Sequence, residues 1–390
     1  MKRRVLIVGT AYAIREHRKK LPHLAQDFTV TCVTAERCGG FGWVETTGEH
    51  SASEGYRLFG LPIGGASVPG TRCWYRGLAK IFRDDDFDLI LVENEPWGLL
   101  RWQSWLLKIL FQPRAMFGEF TWENIMRGGW KGIILSAIYR AATFTGSFAV
   151  GGNRDATAMM RRFGSKPEKT ACIPQFGVDP LLFSPLPDVK RREARHSTGL
   201  PEHAFLIGYC GRFVPEKGIG ELLQAFRRLP ATGHELCLVM MGTGEMEAEI
   251  RAEAHRDARI QLCPPSPYPK IAEFLRTLDL LVLPSRTQDG PAMWWKEQFG
   301  HILIEAMACQ VVTIGSDSGA IPEVLGDSGV IFPEGDVAAL AALIQSFVQN
   351  REHARTVGTK QRERVIAHYS HERVAAGWSD FFHECLSVPS

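Results

Sequence analysis

Short, almost uninterrupted apolar runs alternate with segments of helical period from one end of the 390-residue chain to the other. In the first half the runs predict strands at Arg4–Gly9, Phe28–Thr34, Phe87–Glu93, Ala115–Phe120 and Ser147–Val150. In the second half they predict strands at Phe205–Cys210, Leu236–Met241, Arg259–Cys263, Leu278–Leu283 and Val311–Ile314. Strands that are apolar on both alternating faces suit a parallel sheet covered by helices on each side. Their regular alternation with helices predicts the α/β class, built as doubly wound sheets.

A chain of this length exceeds what one core ordinarily supports, so two domains are expected. The prolines and glycine of Ile173–Pro185, followed by the charged stretch 188–195, mark the boundary. This gives an N-terminal domain over 1–180 and a second over 186–370, read as two Rossmann-like doubly wound domains facing each other across a cleft, where such folds hold ligands.

Composition narrows the picture. An apolar fraction of 45% with 23% charged residues excludes a disordered chain. No apolar run approaches the roughly eighteen residues that a membrane helix needs. The first run, after Met1-Lys-Arg-Arg, is short enough to be a strand rather than a signal peptide. Nine scattered cysteines without a C-x-x-C pair point to a reducing cytoplasm and to no metal site. Net charge is +2, but unevenly spread. Residues 1–185 hold 24 Lys/Arg against 17 Asp/Glu, or +7, and the remainder 21 against 26, or −5. The asymmetry fits either an anionic partner for the first half, such as an inner membrane surface, or ordinary drift in solvated charge. No nucleic-acid motif is present.

Two segments carry the chemistry. In Gly211-Arg212-Phe-Val-Pro-Glu-Lys217-Gly218, a basic loop joins a predicted strand to a helix starting near Ile219. A guanidinium fork and a compact ammonium between two glycines suit a diphosphate. In Glu297-Gln-Phe-Gly-His-Ile-Leu-Ile-Glu305, a helix is expected to open near Gly300, offering the backbone of Phe299, Gly300 and His301 to an anion or to sugar oxygens. Glu297 lies before that helix and Glu305 within it, among residues too apolar for a solvated face. The glycine pair Gly242 and Gly244 closes the strand Leu236–Met241, where it permits close approach of a nucleotide or forms an ordinary turn. Gly315–Glu323 reads as a turn backing the site.

These motifs, with their order and spacing, resemble the signature of the family 4 retaining glycosyltransferases, whose two Rossmann-like domains form the GT-B fold. The resemblance spans roughly residues 145–340. It implies that Arg212 and Lys217 hold a nucleotide diphosphate sugar donor by its diphosphate, with Gly211, Gly242 and Gly244 close by. It implies that Glu297 and the backbone of Phe299–His301 hold the sugar, and that Glu305 holds the ribose. It also implies that a C-terminal helix, about 371–386, returns to the first domain. The activity so implied is transfer of a hexosyl unit, with retention, to a hydroxyl of a saccharide or glycolipid in polysaccharide or glycoconjugate biosynthesis. No cofactor and no metal are expected. The alternatives are a phosphorylase or nucleotide-sugar epimerase of the same fold, or a non-catalytic sugar-nucleotide-binding partner.

The first half departs from that pattern. Relatives place a histidine near the end of a strand lining the cleft, where this chain has Phe117-Gly-Glu119-Phe-Thr-Trp122-Glu123. Glu119 and Glu123 are the candidates for a polar contact there. Glu95 and Trp97 of Glu93-Asn-Glu95-Pro-Trp97, together with Trp122, are assigned to the acceptor side. Aromatic rings pack on sugar faces and carboxylates accept hydroxyl hydrogen bonds. Arg18, Lys19 and Lys20 are read as surface cations able to attract an anionic membrane. The segment holding Trp102, Trp105, Leu106, Ile109 and Leu110 fits either a membrane-surface helix or core packing, and core packing is the favoured expectation. His368 and His371 read as surface residues.

Overall fold

The computed structural model describes residues 2–37, 55–65, 71–230, 235–290, 293–326 and 330–387. The chain divides into two compact units, residues 1–177 with 371–390, and residues 178–370.

The first unit is built on seven parallel strands: β1 Arg4–Gly9, β2 Thr29–Ala35, β3 Arg57–Leu61, β4 Leu89–Glu93, β5 Met116–Thr121, β6 Phe148–Gly151 and β7 Thr170–Cys172. Their spatial order is β3-β2-β1-β4-β5-β6-β7. The register aligns Val5 with both Val30 and Leu89. The sequence leaves β3 and β7 unseen, and both are edge strands. An edge strand is short and half-wetted, so it lacks the continuous apolar run by which the central strands are recognised. Helices α1 Leu99–Phe111 and α2 Gly129–Thr145 follow β4 and β5. Because the strand order advances in one direction from β4 to β6, right-handed crossovers put both helices on the same face.

The second unit repeats the plan with β8 Phe205–Cys210, β9 Leu236–Met241, β10 Ile260–Cys263, β11 Leu280–Leu283, β12 Val312–Ser316 and β13 Val330–Phe332, in the order β10-β9-β8-β11-β12-β13. Helix α3 Ile219–Arg228 buries Ile219, Leu222, Leu223 and Phe226 against this sheet. Helix α4, His301–Ala308, is buried from Leu303 onward. In both sheets the order reverses beside the first strand of the unit, between β1 and β4 and between β8 and β11. Such a reversal leaves a crevice at the carboxyl ends of the two strands, where open α/β sheets bind ligands.

The C-terminal helix α5, His371–Ser387, belongs to the first unit. It seats Trp378, Phe381 and Phe382 in the same core as Leu21, Phe28 and Phe120. Trp378 donates its indole N–H to the Pro174 carbonyl at 3.0 Å. His371, read from sequence as a surface residue, is buried at the start of this helix, whereas His368 is exposed.

Three further expectations change. Lys20 is wholly buried rather than on the surface. Its ammonium donates to Glu93 at 2.9 Å and lies 4.6 Å from the Trp378 ring. Tyr12 and Gln175 also donate to the Glu93 carboxylate, at 2.5 and 2.7 Å, so the crevice beside β1 and β4 is filled by a satisfied polar cluster. Glu119 is equally inaccessible. It points from β5 toward α1, where Arg101 reaches it at 2.9 Å, and both side chains are fully buried. An acceptor contact is therefore ruled out for Glu119, because β5 alternates its side chains and this position falls on the helix-covered face. Finally, α1 packs through Leu100, Arg101, Ser104 and Leu107, while Leu106, Ile109 and Leu110 face solvent. Core packing of those three fails because the helix's buried stripe runs one residue away from them.

Candidate functional site

The second unit gathers the chemistry at its strand-order reversal. After β8, Gly211 donates its amide to Met241 at the end of β9, and Phe213 donates to Thr243. The loops following β8 and β9 are thereby laced together. Gly242 is required by that lacing, since a Cβ there would stand 1.9 Å from the Gly211 carbonyl oxygen. Gly244 sits against the Phe213 backbone in the same way. The two glycines therefore serve loop packing, whatever else they approach.

A single turn of 3-10 helix, Pro215–Lys217, then delivers Lys217. It ends at Gly218, whose φ of 69° is left-handed and whose Cα lies against the end of β11. A Cβ would fall 1.8 Å from the Pro284 carbonyl oxygen, so only glycine brings this turn so near. The Lys217 ammonium donates to Glu297 Oε2 at 2.5 Å, and Ser285 Oγ donates to the same oxygen at 2.7 Å. The lysine is 14% exposed and the glutamate 7%. The expected turn at Gly315–Glu323 holds Glu297 in place, with the Ala320 amide donating to the Glu297 carbonyl. Arg212 is more open, 45% exposed and 3.6 Å from Glu216. Its guanidinium is thus available at the rim, beside a buried cation held by a carboxylate.

One element here is missing from the sequence expectations. Between β11 and Glu297 the chain forms an antiparallel hairpin, Gln288–Gly290 with Met293–Trp295. Lys217 lies 4.8 Å from the Trp295 ring centroid, so the hairpin gives the ammonium an aromatic wall. The adjacent aromatic pair Trp294-Trp295 in a polar stretch was the available signal.

Helix α4 opens at Gly300, left-handed with φ 73°. Phe299 is buried and packs edge-on against Tyr369 at 5.7 Å. His301 follows, and burial pushes its imidazole down to about 4, which keeps it neutral at physiological pH. One turn further, Glu305 is buried, and burial pushes its carboxyl up to about 8, with a hydrogen bond from Tyr268 opposing the shift. An unfolded glutamate ionises near 4.5, so its proton is lost on unfolding between those two pH values. Stability should therefore be full below about 4.5 and fall as pH rises towards about 8. Glu305→Gln keeps the neutral shape and should raise the melting temperature at pH 8 while changing it little at pH 4.5. A variant less stable than wild type at pH 8 would contradict this placement.

In the first unit, Thr121 donates to Glu95, and the Trp122 amide donates to the same carboxylate at 3.1 Å. Burial pushes Glu95 up to about 7, with the Thr121 hydrogen bond opposing and the Glu123 charge adding to the rise. Glu123 pairs with Arg127 at 3.2 Å, and Arg127 lies 5.4 Å from the Trp97 ring. Trp97, Glu123, Arg127 and Tyr139 line one narrow pocket. Trp122 is turned instead toward Gln175, to which its indole donates at 2.8 Å. The structure thus brings Glu95, Trp97 and Glu123 together, uses Trp122 as a brace, and leaves Glu119 in the core.

Residues 190–364, all within the second unit, match the model of the family described as glycosyl transferases group 1. The D-inositol 3-phosphate glycosyltransferase 1 of Catenulispora acidiphila is 27% identical over 60% of this chain and 54% of its own. The capsular polysaccharide biosynthesis glycosyltransferase CapM of Staphylococcus aureus is 30% identical over 43% of this chain and 42% of its own. The chain spans about half the length of the curated relatives it matches. The solved structure of Anabaena Alr3699/HepE in complex with UDP superposes with a TM-score of 0.73 over 97% of this chain and 99% of that one, at 13% identity. A glycosyltransferase from Rickettsia africae gives 0.75 over the whole of both chains at 15% identity. These likenesses show the two-domain GT-B fold, and the second unit, over residues 190–364, is similar to the glycosyl transferases group 1.

Proposed function

We propose that the protein transfers a hexosyl unit, with retention, from a nucleotide diphosphate sugar to a hydroxyl of a saccharide or glycolipid in polysaccharide or glycoconjugate biosynthesis. The observation that carries this reading is the Lys217–Glu297 pair, with Ser285, at the carboxyl ends of β8 and β11. A cation already paired to a carboxylate is preorganised. When a diphosphate arrives, Lys217 and the exposed Arg212 supply its counter-charge, and Glu297 accepts hydrogen bonds from sugar hydroxyls. Fixed cations stabilise the departing diphosphate as its charge develops. In the proposed step the anomeric carbon–phosphate oxygen bond breaks and the acceptor oxygen bonds to the same face. The leaving phosphate oxygen takes the acceptor proton, which leaves a glycoside and a nucleoside diphosphate. Glu305 is assigned to the ribose, and Glu95, Trp97 and Glu123 to the acceptor. A glycolipid acceptor would be met at a membrane, so a cytoplasmic protein in peripheral contact with the inner membrane face is part of this reading.

The test is a thermal-shift panel of UDP-, GDP- and ADP-sugars, followed by turnover of the sugar that stabilises most. At 100 times its Kd a ligand of the folded state adds about 2.7 kcal/mol. Stabilisation by none of them would overturn the reading. Turnover is expected to survive EDTA, because two cations supply the charge that a metal would bring. Complete loss on chelation, restored by Mg²⁺ or Mn²⁺, would overturn the assignment of that role to Arg212 and Lys217.

A further inference from the structure

Helices α1 and α2 are neighbours on one face of the first sheet: Arg101 of α1 donates to the Ala142 carbonyl and to Thr145 Oγ1 of α2, both at 2.8 Å. Both also carry large apolar side chains on the side turned away from the sheet. On α2 the buried side carries Gly132, Tyr139 and Ala142. The outward side carries Trp130, Ile133, Ile134 and Phe144, of which Trp130 is 68%, Ile133 74% and Phe144 90% exposed. Ile133, Ile134 and Phe144 lie three, four and fourteen residues from Trp130, which keeps them on one stripe. On α1, Leu106, Ile109 and Leu110 are likewise exposed. A folded protein rarely leaves a stripe of large apolar side chains such as that of α2 in water without a partner.

The charge around this stripe is of one sign. Residues 99–118 and 124–146 contain no aspartate or glutamate, while Lys131 and Arg140 flank the stripe on α2 and Arg114 follows α1, all three exposed. A second copy of the chain seated on this face would set these cations against their own like, with no carboxylate to answer them. A layer of anionic headgroups answers them directly, and the indole of Trp130 suits the boundary between headgroups and acyl chains. Trp130 and Phe144 stand fourteen residues apart, or about 21 Å along the axis. Both ends of the helix are apolar on the same side, so α2 would lie in the plane of the surface. Among the described residues no helix is long and apolar enough to cross a membrane.

We infer that the outward face of α1 and α2 is a docking surface for an anionic lipid bilayer, with Trp130, Ile133, Ile134 and Phe144 entering the interface and Lys131 and Arg140 meeting its headgroups. The inference gives a surface to the membrane contact of the proposed function. It requires no sugar transfer, so the two readings fail separately.

The experiment is co-sedimentation of the full chain with vesicles of phosphatidylcholine alone or of phosphatidylcholine and phosphatidylglycerol, at low and at physiological salt. Binding is expected to the anionic vesicles, and to weaken as salt screens it. The double variant I133E/F144E alters only exposed positions, so its melting temperature should match wild type while its vesicle binding falls at least tenfold. The control Ile366→Glu changes an exposed apolar residue of the second unit and should bind as wild type does. K131E/R140E should remove the preference for anionic vesicles. Absence of binding to anionic vesicles at low salt would overturn the inference. So would binding unaffected by I133E/F144E, or a concentration-dependent dimer that those two substitutions dissolve. Loss of binding in these variants with unchanged turnover of a water-soluble acceptor would leave both readings standing.

Discussion

Lys217→Ala is expected to lower sugar transfer by about 10²–10³-fold, the usual effect of removing one preorganised group that stabilises developing charge. The ammonium is held by Glu297 at 2.5 Å and walled by Trp295, so it needs no reorganisation when the diphosphate departs. Alanine also removes the Lys217 donor from the buried Glu297 carboxylate, so turnover has to be normalised to the folded fraction. Lys217→Arg restores a cation but not a compact one, and is expected to recover only part of the rate. Transfer within threefold of wild type in the alanine variant would remove Lys217 from the reaction.

The largest stability effect is expected at Arg101 and Glu119. Both side chains are inaccessible, joined by contacts at 2.9 and 3.1 Å, and the guanidinium is stacked 4.4 Å from the Trp102 ring. Removing one member of such a pair typically costs about 3–5 kcal/mol, because the other charge is left buried. The two deletions should differ in pH dependence. Burial already pushes the Glu119 carboxyl up, with Arg101 opposing. In Arg101→Met that opposition is gone, so Glu119 escapes by keeping its proton. The cost should then be small in acid and grow as pH rises above the ordinary glutamate range. In Glu119→Gln the guanidinium cannot shed its charge, so the variant is destabilised at every pH; because the raised Glu119 makes the wild type itself lose stability as pH rises, the penalty should shrink rather than grow with pH. Replacing both residues with methionine should recover most of the loss. Denaturation of the three variants between pH 5 and pH 8 checks this, and identical pH profiles for the two single variants would contradict it.

Most of the fold is legible in the pattern of apolar runs. The strands Arg4–Gly9, Phe205–Cys210 and Leu236–Met241 occur with the bounds read from sequence, and the other central strands shift by one or two residues. These strands lie in sheet centres, where both faces are covered and nearly every side chain is apolar. Three of the four edge strands, Arg57–Leu61, Thr170–Cys172 and Val330–Phe332, carry no such mark; the fourth, Ile260–Cys263, does. In the site, glycines and cations at strand ends were visible as types and spacings. Their partners were not. Nothing in the sequence pairs Lys217 with a carboxylate eighty residues away, or sets Trp295 beside it.

The sequence by itself determined two doubly wound α/β halves, a basic loop after the first strand of the second half, and a carboxylate on either side of a helix start. These follow from local rules: apolar periodicity, glycine at strand ends, and the free amides of a helix N-terminus. Tertiary structure alone decided which charged groups are accessible. Lys20 reads as a surface cation and Glu119 as a cleft residue because a charge has a burial preference but no periodicity that reveals an exception. Their burial depends on partners brought from 73 and 18 residues away, and each is tolerable only because that partner arrives. The same limit applied in reverse to Leu106, Ile109 and Leu110. Apolar character predicted a core, but the face of each helix that meets the sheet is chosen by the whole layer, and here it left those side chains outside.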